Sequence, residues 1–320
     1  MLSYTVAMMT MTLITGFIMS WAVGANDVAN AMGTSVGSKV VTIKQAIIIA
    51  AIFEGLGAIL ASNHVTHTIR HGLIDTQAFA FEPSLLATGM LAALLAASTW
   101  LLIATYFGWP VSTTHCIIGA IIGFNTMSMG FGHNQWSMIG SIFGSWLLTP
   151  FFSATLAFLL FKSLKLMIFD HQDPIQRART IVPIYMFLTS AVVLSVTLNQ
   201  VIHLFYGTTN AVLVTITTLL TSISVLYLGR RMMNYVILQS QQQAKRDYKV
   251  IEKAFGILTL FTACSVAFSH GSNDVANAIG PMDVIFHTLS HPGAFNRTAQ
   301  TPVWLILFGG FGVITGLAMY

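Results

Sequence analysis

Two ten-residue stretches carry the same chemistry: GANDVANAMG at residues 24–33 and GSNDVANAIG at residues 271–280. Each supplies one carboxylate, Asp27 or Asp274, and two amides, Asn26 with Asn30 or Asn273 with Asn277, among small and apolar neighbours. An asparagine side chain offers a carbonyl acceptor and two N–H donors, and the i, i+4 spacing puts both amides of a copy on one helical face. A helix broken at Gly24 or Gly271 would also free backbone carbonyls before the break and N–H groups after it. Carboxylates and carbonyls suit a hard cation, and amide and backbone N–H groups suit an anion. The small residues of each copy fit close helix packing equally well, but that packing gives no reason for Asp or Asn.

A third polar element is GWPVSTTHCIIGAIIGF, residues 108–124. Pro110 is expected to end the preceding helix, so that Ser112, Thr113 and Thr114 open the next one with hydroxyls and unpaired N–H groups together. Such a helix start serves either as an ordinary N-cap or as a holder of an oxyanion that needs no Lys or Arg. Glu54 stands inside the apolar stretch AAIFEGLGAIL, and the matching stretch of the second half, LFGGFGVITG, is expected to place Gly309 where Glu54 would stand. A buried carboxyl of this kind is read as a cation ligand or proton carrier. His270 precedes the second motif where the first has Val23, and a structural hydrogen-bonding role is expected for it and for His115. His64, His67 and His71, beside Arg70, lack close acidic partners and are not expected to hold a metal.

The elements that must position these groups are membrane helices. The chain has 320 residues, of which 55% are hydrophobic and 8% charged, far below the roughly 25% charged residues of soluble domains. A bilayer core takes about 20 apolar residues of helix. Candidate spans lie near 4–36, 45–62, 85–107, 112–127, 136–161, 181–201, 207–229, 254–280 and 301–320. Cys116 and Cys264 both fall in apolar stretches, as small buried hydrophobes rather than a disulfide framework. No Lys or Arg precedes Lys39, so the first apolar run reads as a span and not as a cleaved signal.

Lys39 and Lys44, then Lys162, Lys165, Arg177 and Arg179, then Arg230, Arg231, Lys245, Arg246, Lys249 and Lys253 crowd three connections. The positive-inside rule puts all three in the cytoplasm. Counting crossings from an N-terminus outside brings the second NDVANA stretch into the membrane from the inside, opposite to the first. That is an inverted-topology repeat, in which secondary transporters bring discontinuous helices together near the midplane. Residues 1–162 read as the first repeat, 163–253 as a central helix pair with its connections, and 254–320 as the start of the second repeat.

Asp27, Asp274 and Glu54 have no Lys or Arg within the spans. Like charges about 4 Å apart repel by roughly 4 kcal/mol even at an effective dielectric near 20. An anion entering such a site needs cations with it, either metal ions that bridge or protons that neutralise.

GANDVANA at 24–31, PVSTTH at 110–115, GSWLLTP at 144–150 and HGSNDVANAIGP at 270–281 together resemble the PiT family of inorganic phosphate transporters, symporters of phosphate with Na⁺ or H⁺. The resemblance spans essentially the whole chain. It implies that Asn26, Asn30, Ser112, Thr113, Thr114, Asn273 and Asn277 surround phosphate, while Asp27, Glu54 and Asp274 serve the coupling ion and would ligate Na⁺ if sodium is that ion. The implied fold class is an all-α polytopic membrane protein with inverted repeats and broken helices, about nine spans of an expected twelve being present. Family members carry a second PVSTTH element, which would fall beyond Tyr320, so the chain is expected to be a truncated product or partial record.

The expected partners are inorganic phosphate and the lipid bilayer of a plasma (inner) membrane, with no nucleic acid and no cofactor besides the coupling ion; a homo-oligomer is compatible with the sequence but not required by it. Sulfate is the alternative cargo, but it cannot donate a hydrogen bond at neutral pH, and acceptors such as Asp27 and Asp274 favour phosphate. A channel would show filter rings or pore-lining periodicity. An enzyme would need more than Ser112 with His115 and no orienting third group.

Overall fold

The computed structural model describes residues 2–62, 65–66, 68–69, 73, 76–79, 81–206, 210–239, 248–290 and 301–319. Among them are nine α-helices: α1 Leu2–Gly37, α2 Ile43–Ala61, α3 Pro83–Tyr106, α4 Thr113–Met129, α5 Trp136–Leu164, α6 Pro174–Tyr206, α7 Ala211–Gln239, α8 Tyr248–Ser290 and α9 Val303–Met319. These correspond one for one to the nine expected spans. The ends differ where helix continues past the apolar run, as at Arg230 and Arg231 inside α7. Seven of the nine are long and apolar enough to cross a membrane, while α4 and α9 have 17 residues each. A 17-residue helix is about 26 Å long, short of the roughly 30 Å hydrocarbon core.

α3 and α4 fold back on each other. A Cβ on Gly89, near the start of α3, would lie 1.9 Å from the ring of Phe124, near the end of α4, so the two helices run antiparallel with residues 107–112 at the tip. The break does not come from Pro110. Gly108 takes the left-handed conformation at φ 66°, Trp109 N–H donates to the Ala104 carbonyl at 2.8 Å, and Gly108 N–H donates to the Thr105 carbonyl at 3.1 Å. This is a Schellman ending, in which glycine stops the helix and a proline shortly after prevents its resumption. A hairpin that enters and leaves by one side has the same parity as two full crossings, so the expected orientation of α8 does not depend on which of the two α3 and α4 make.

The chain forms two compact units. One holds residues 1–31, 47–141 and 267–320; the other holds 32–46 and 142–266. Every described Lys and Arg belongs to the second unit. That unit is built on Ile168, Ala178, Val182, Met186, Met233 and Ala254, with Phe169 stacked on Phe255 at 5.3 Å and Arg179 Nε donating to Asn234 Oδ1 at 2.5 Å. Cys264 in this unit and Cys116 in the other are half-buried free thiols.

In the first unit, α1 and α8 run in opposite directions. Gly16 of α1 lies against Met282 of α8, whereas Asp27 lies against His270. The helices are not broken at Gly24 or Gly271, because α1 and α8 pass through both residues as continuous helix. The two glycines serve contact instead. A Cβ on Gly24 would sit 2.0 Å from the Val313 carbonyl oxygen, and one on Gly271 would sit 2.1 Å from that of Glu54. Two further glycines answer them: a Cβ on Gly316 would meet Trp21 O at 2.0 Å and Ala25 N at 2.9 Å, and one on Gly57 would meet Phe268 O at 2.0 Å and Ser272 N at 2.9 Å.

The α1–α9 and α8–α2 contacts thus correspond, with Trp21 and Ala25 in the places of Phe268 and Ser272 and the Val313 carbonyl in the place of that of Glu54. This pseudo-twofold correspondence also corrects a register. Glu54 is matched by Val313, not by Gly309.

Gly57→Ala is expected to cost about 1–3 kcal/mol through overpacking against backbone. Gly33→Ala, where a Cβ meets nothing within 4 Å, should be neutral or stabilising by up to about 1 kcal/mol. Thermal unfolding of the detergent-purified protein compares the two.

Candidate functional site

Both ND motifs converge on one imidazole. His270 Nε2 lies 2.9 Å from Asp274 Oδ2 and 3.5 Å from Asp27 Oδ2, and its Nδ1 lies 3.2 Å from Glu54 Oε1. The carboxylates come from α8, α1 and α2, so the glycine contacts at Gly57 and Gly271 are what bring Glu54 to the ring. Glu54 is 1% exposed and Asp27 5%. Arg70 and Arg297, the only Lys or Arg in the sequence of this unit, lie outside the described residues. His270 is therefore the one basic group among the described residues that touches these carboxylates.

Asn30 Nδ2 donates to Asp27 Oδ1 at 3.0 Å, and Asn277 Nδ2 donates to Asp274 Oδ1 at 3.1 Å. The same local bond thus recurs in the two copies. Their surroundings differ. Asn277 is fully buried and also donates to Thr113 Oγ1 at 3.2 Å and Thr114 Oγ1 at 3.0 Å, while Thr114 Oγ1 donates to Asp274 Oδ1 at 3.3 Å. The start of α4 is therefore docked on the second motif. In the first motif Asn30 is exposed, and Asn26 Nδ2 donates to Thr105 Oγ1 at 3.2 Å and to the Trp109 carbonyl at 3.4 Å, tying α1 to the hairpin tip.

Within each copy the side-chain bond that closes is the i, i+3 bond from Asn to Asp. Asn273 is exposed and outside the network. Ser112 is the N-cap of α4, its hydroxyl accepting from His115 N–H at 3.2 Å. Continuous helix through Gly24 and Gly271 keeps the neighbouring carbonyls in intrahelical bonds, which leaves side chains and the α4 terminus as the available ligands.

A cavity of about 340 Å³ lies among these groups, lined by Asp27, Asn30, Ser112, Thr113, His270, Asp274 and the Pro110–Val111 turn. That is the lower end of the roughly 300–1,000 Å³ of small-molecule sites. Single ligand atoms of Asp27, His270 and Asp274 lie within 4.8 Å of one another, close enough to share a cation. The α4 start, which lines the same cavity through Ser112 and Thr113, offers N–H groups and hydroxyls to an anion. Cation ligands and anion ligands share one small space.

Sequence reasoning placed Asp27, Asn30, Ser112, Thr113, Thr114, Asp274 and Asn277 here and left His270 at the margin. The detectable signal was the residue directly before the motif, His270 in one copy and Val23 in the other. Asp283 was not singled out; it is 2% exposed, farther along α8, and accepts from Thr301 Oγ1 at 3.2 Å. His64, His67 and His71 lie outside the described residues.

Long apolar helices in an antiparallel, pseudo-symmetric pair around a charged cavity define a multi-pass membrane protein. The model of the phosphate transporter family matches residues 23–320, and the chain belongs to that family. It is 43% identical over 310 residues to a Haemophilus influenzae protein named as a phosphate permease, covering 96% of this chain and 73% of that one. It is 35% identical over 326 residues to inorganic phosphate transporter 2-1, chloroplastic, of Arabidopsis thaliana, covering 97% of this chain and 56% of that one. A solved structure of a sodium-dependent phosphate transporter superposes with a TM-score of 0.89 at 32% identity, covering 97% of this chain and 75% of that one.

Asn277→Ala would strand Thr113, Thr114 and Asp274 around a buried gap, and a loss of about 1–3 kcal/mol is expected. Asn273→Ala should stay within about 0.5 kcal/mol. Thermal unfolding in detergent distinguishes them.

Proposed function

We propose that this chain acts as a secondary symporter that carries inorganic phosphate across the membrane with Na⁺ or H⁺. The observation that supports it best is the shared cavity: two aspartates from opposed helices face the hydroxyl-bearing start of α4 with no described Lys or Arg in the unit. Phosphate would sit at Ser112, Thr113 and Thr114, reached by Asn30 from α1. Asn26 and Asn277 hold the tip and α4 in place. Asp27 and Asp274 would ligate the coupling ion, with Glu54 behind His270.

Of the two coupling ions, Na⁺ is favoured by the likeness to the solved relative, which is named as a sodium-dependent phosphate transporter. Phosphate is favoured over sulfate because hydrogen phosphate can donate to Asp27 or Asp274 and sulfate cannot. The positive connections favour an N-terminus outside.

Uptake of labelled phosphate by proteoliposomes, with Na⁺ and pH gradients imposed separately, tests the proposal. Uptake should follow the Na⁺ gradient and survive excess sulfate. Asp27→Asn and Asp274→Asn should each reduce coupled uptake at least about 100-fold without loss of the protein from the membrane. Near-normal transport by either variant would contradict the assignment.

A further inference from the structure

Glu54 is the most enclosed of the three carboxyls, and both its oxygens are shut off from solvent. Among the described residues, the polar atom within ion-pair distance of it is His270 Nδ1, at 3.2 Å. Asp27 and Asp274 meet the other ring nitrogen, Nε2. The ring therefore stands between Glu54 and the two aspartates. His270 lines the cavity and Glu54 does not.

The pseudo-twofold contact supplies an internal comparison. Glu54 is matched by Val313, and His270, which precedes Gly271, is matched by Val23, which precedes Gly24. Both valines are buried, at 1% and 0% exposure. At the mirrored place the carboxyl and the imidazole are thus absent together. An independent cation ligand would not need its presence tied to that of the histidine, whereas a group whose role is to hold the histidine would.

We propose that Glu54 is a positioning residue: it holds His270 by Nδ1, so that Nε2 is presented between Asp27 and Asp274 at the cavity wall, and it does not itself ligate the coupling ion. This rests on the symport reading above and reassigns one of its residues. The arrangement has the logic of a carboxylate that fixes a histidine through the nitrogen turned away from the ligand. Gly57 and Gly271 complete the device, because any side chain at either would push the Glu54 backbone away from the ring.

The test is equilibrium binding of labelled phosphate to the purified full chain over a Na⁺ series. Glu54→Gln keeps an oxygen beside Nδ1, and the half-saturating Na⁺ concentration should stay within about 3-fold of wild type. Glu54→Ala should weaken phosphate binding about 10–100-fold, the usual loss when an outer-shell partner is removed. In a His270→Asn background, however, the same substitution should add less than about 2-fold, as residues acting as one unit do. The ¹⁵N resonance of the His270 ring, identified by its loss in His270→Asn, should move in Glu54→Ala and hold in Glu54→Gln.

A Glu54→Gln shift of about 10-fold or more in half-saturating Na⁺, or a full additional loss in the His270→Asn background, would overturn the inference. Neither result would touch the symport reading. That reading fails separately, if wild-type phosphate binding ignores both Na⁺ and pH.

Discussion

The structure depends on an excess of carboxyls over basic groups around a single imidazole. Three carboxyls from three helices contact His270, and the described part of the unit supplies no Lys or Arg to balance them. Each such group is costly in a membrane unless it is paired or bound to a cation. The helix contacts that assemble the cluster run through glycines whose missing side chains let carbonyl oxygens approach. Close backbone packing, which small residues permit in membranes, is thus what brings the charges together. An anion admitted to the cavity adds to the imbalance. In the proposed symport, its binding and that of a cation are then one event rather than two.

The pseudo-twofold relation explains both the likeness of the two motifs and their difference. Continuous helices, matched glycine contacts and the same Asn to Asp bond are common to the two copies. Three departures break the symmetry: Glu54 against Val313, His270 against Val23, and the α4 start docked on Asn277 while Asn30 stays exposed. Alternating access in transporters of this general design moves one repeat against the other around a fixed site. Here the hydroxyl-bearing terminus of α4 is bonded to the second motif, and the hairpin tip is held to the first through Asn26. The α3–α4 hairpin therefore bridges the two motif helices, as any element that couples their movement must.

Much of this was legible in the sequence because the chemistry is expensive. Asp27, Asp274 and Glu54 announce themselves by standing in apolar runs, and the resemblance to a known family follows from motif spacing. All nine helices were expected, since each is an apolar run that stands out from its polar flanks, although two are shorter than a full span. What was not legible depended on geometry. Gly24 and Gly271 read as breaks because glycine serves breaks and close contacts alike; only the facing carbonyls decide between them. Pro110 drew the credit for a helix end that belongs to Gly108, whose left-handed turn leaves no mark distinct from any other glycine. The match of Glu54 to Gly309 failed because the connection from α8 to α9 is longer than that from α1 to α2. His270 was underweighted because a lone histidine has no periodicity, and its three partners come from distant parts of the chain.

The most direct measurement of the central claim is reciprocal binding on the purified chain. Phosphate affinity is measured with and without the coupling cation, and cation affinity with and without phosphate. Buried carboxyls that admit an anion only with a companion predict that each ligand strengthens the other by the same factor, at least about 10-fold, because linkage between sites is symmetric. Phosphate affinity that stays constant from zero to saturating cation, at any pH, would contradict the account.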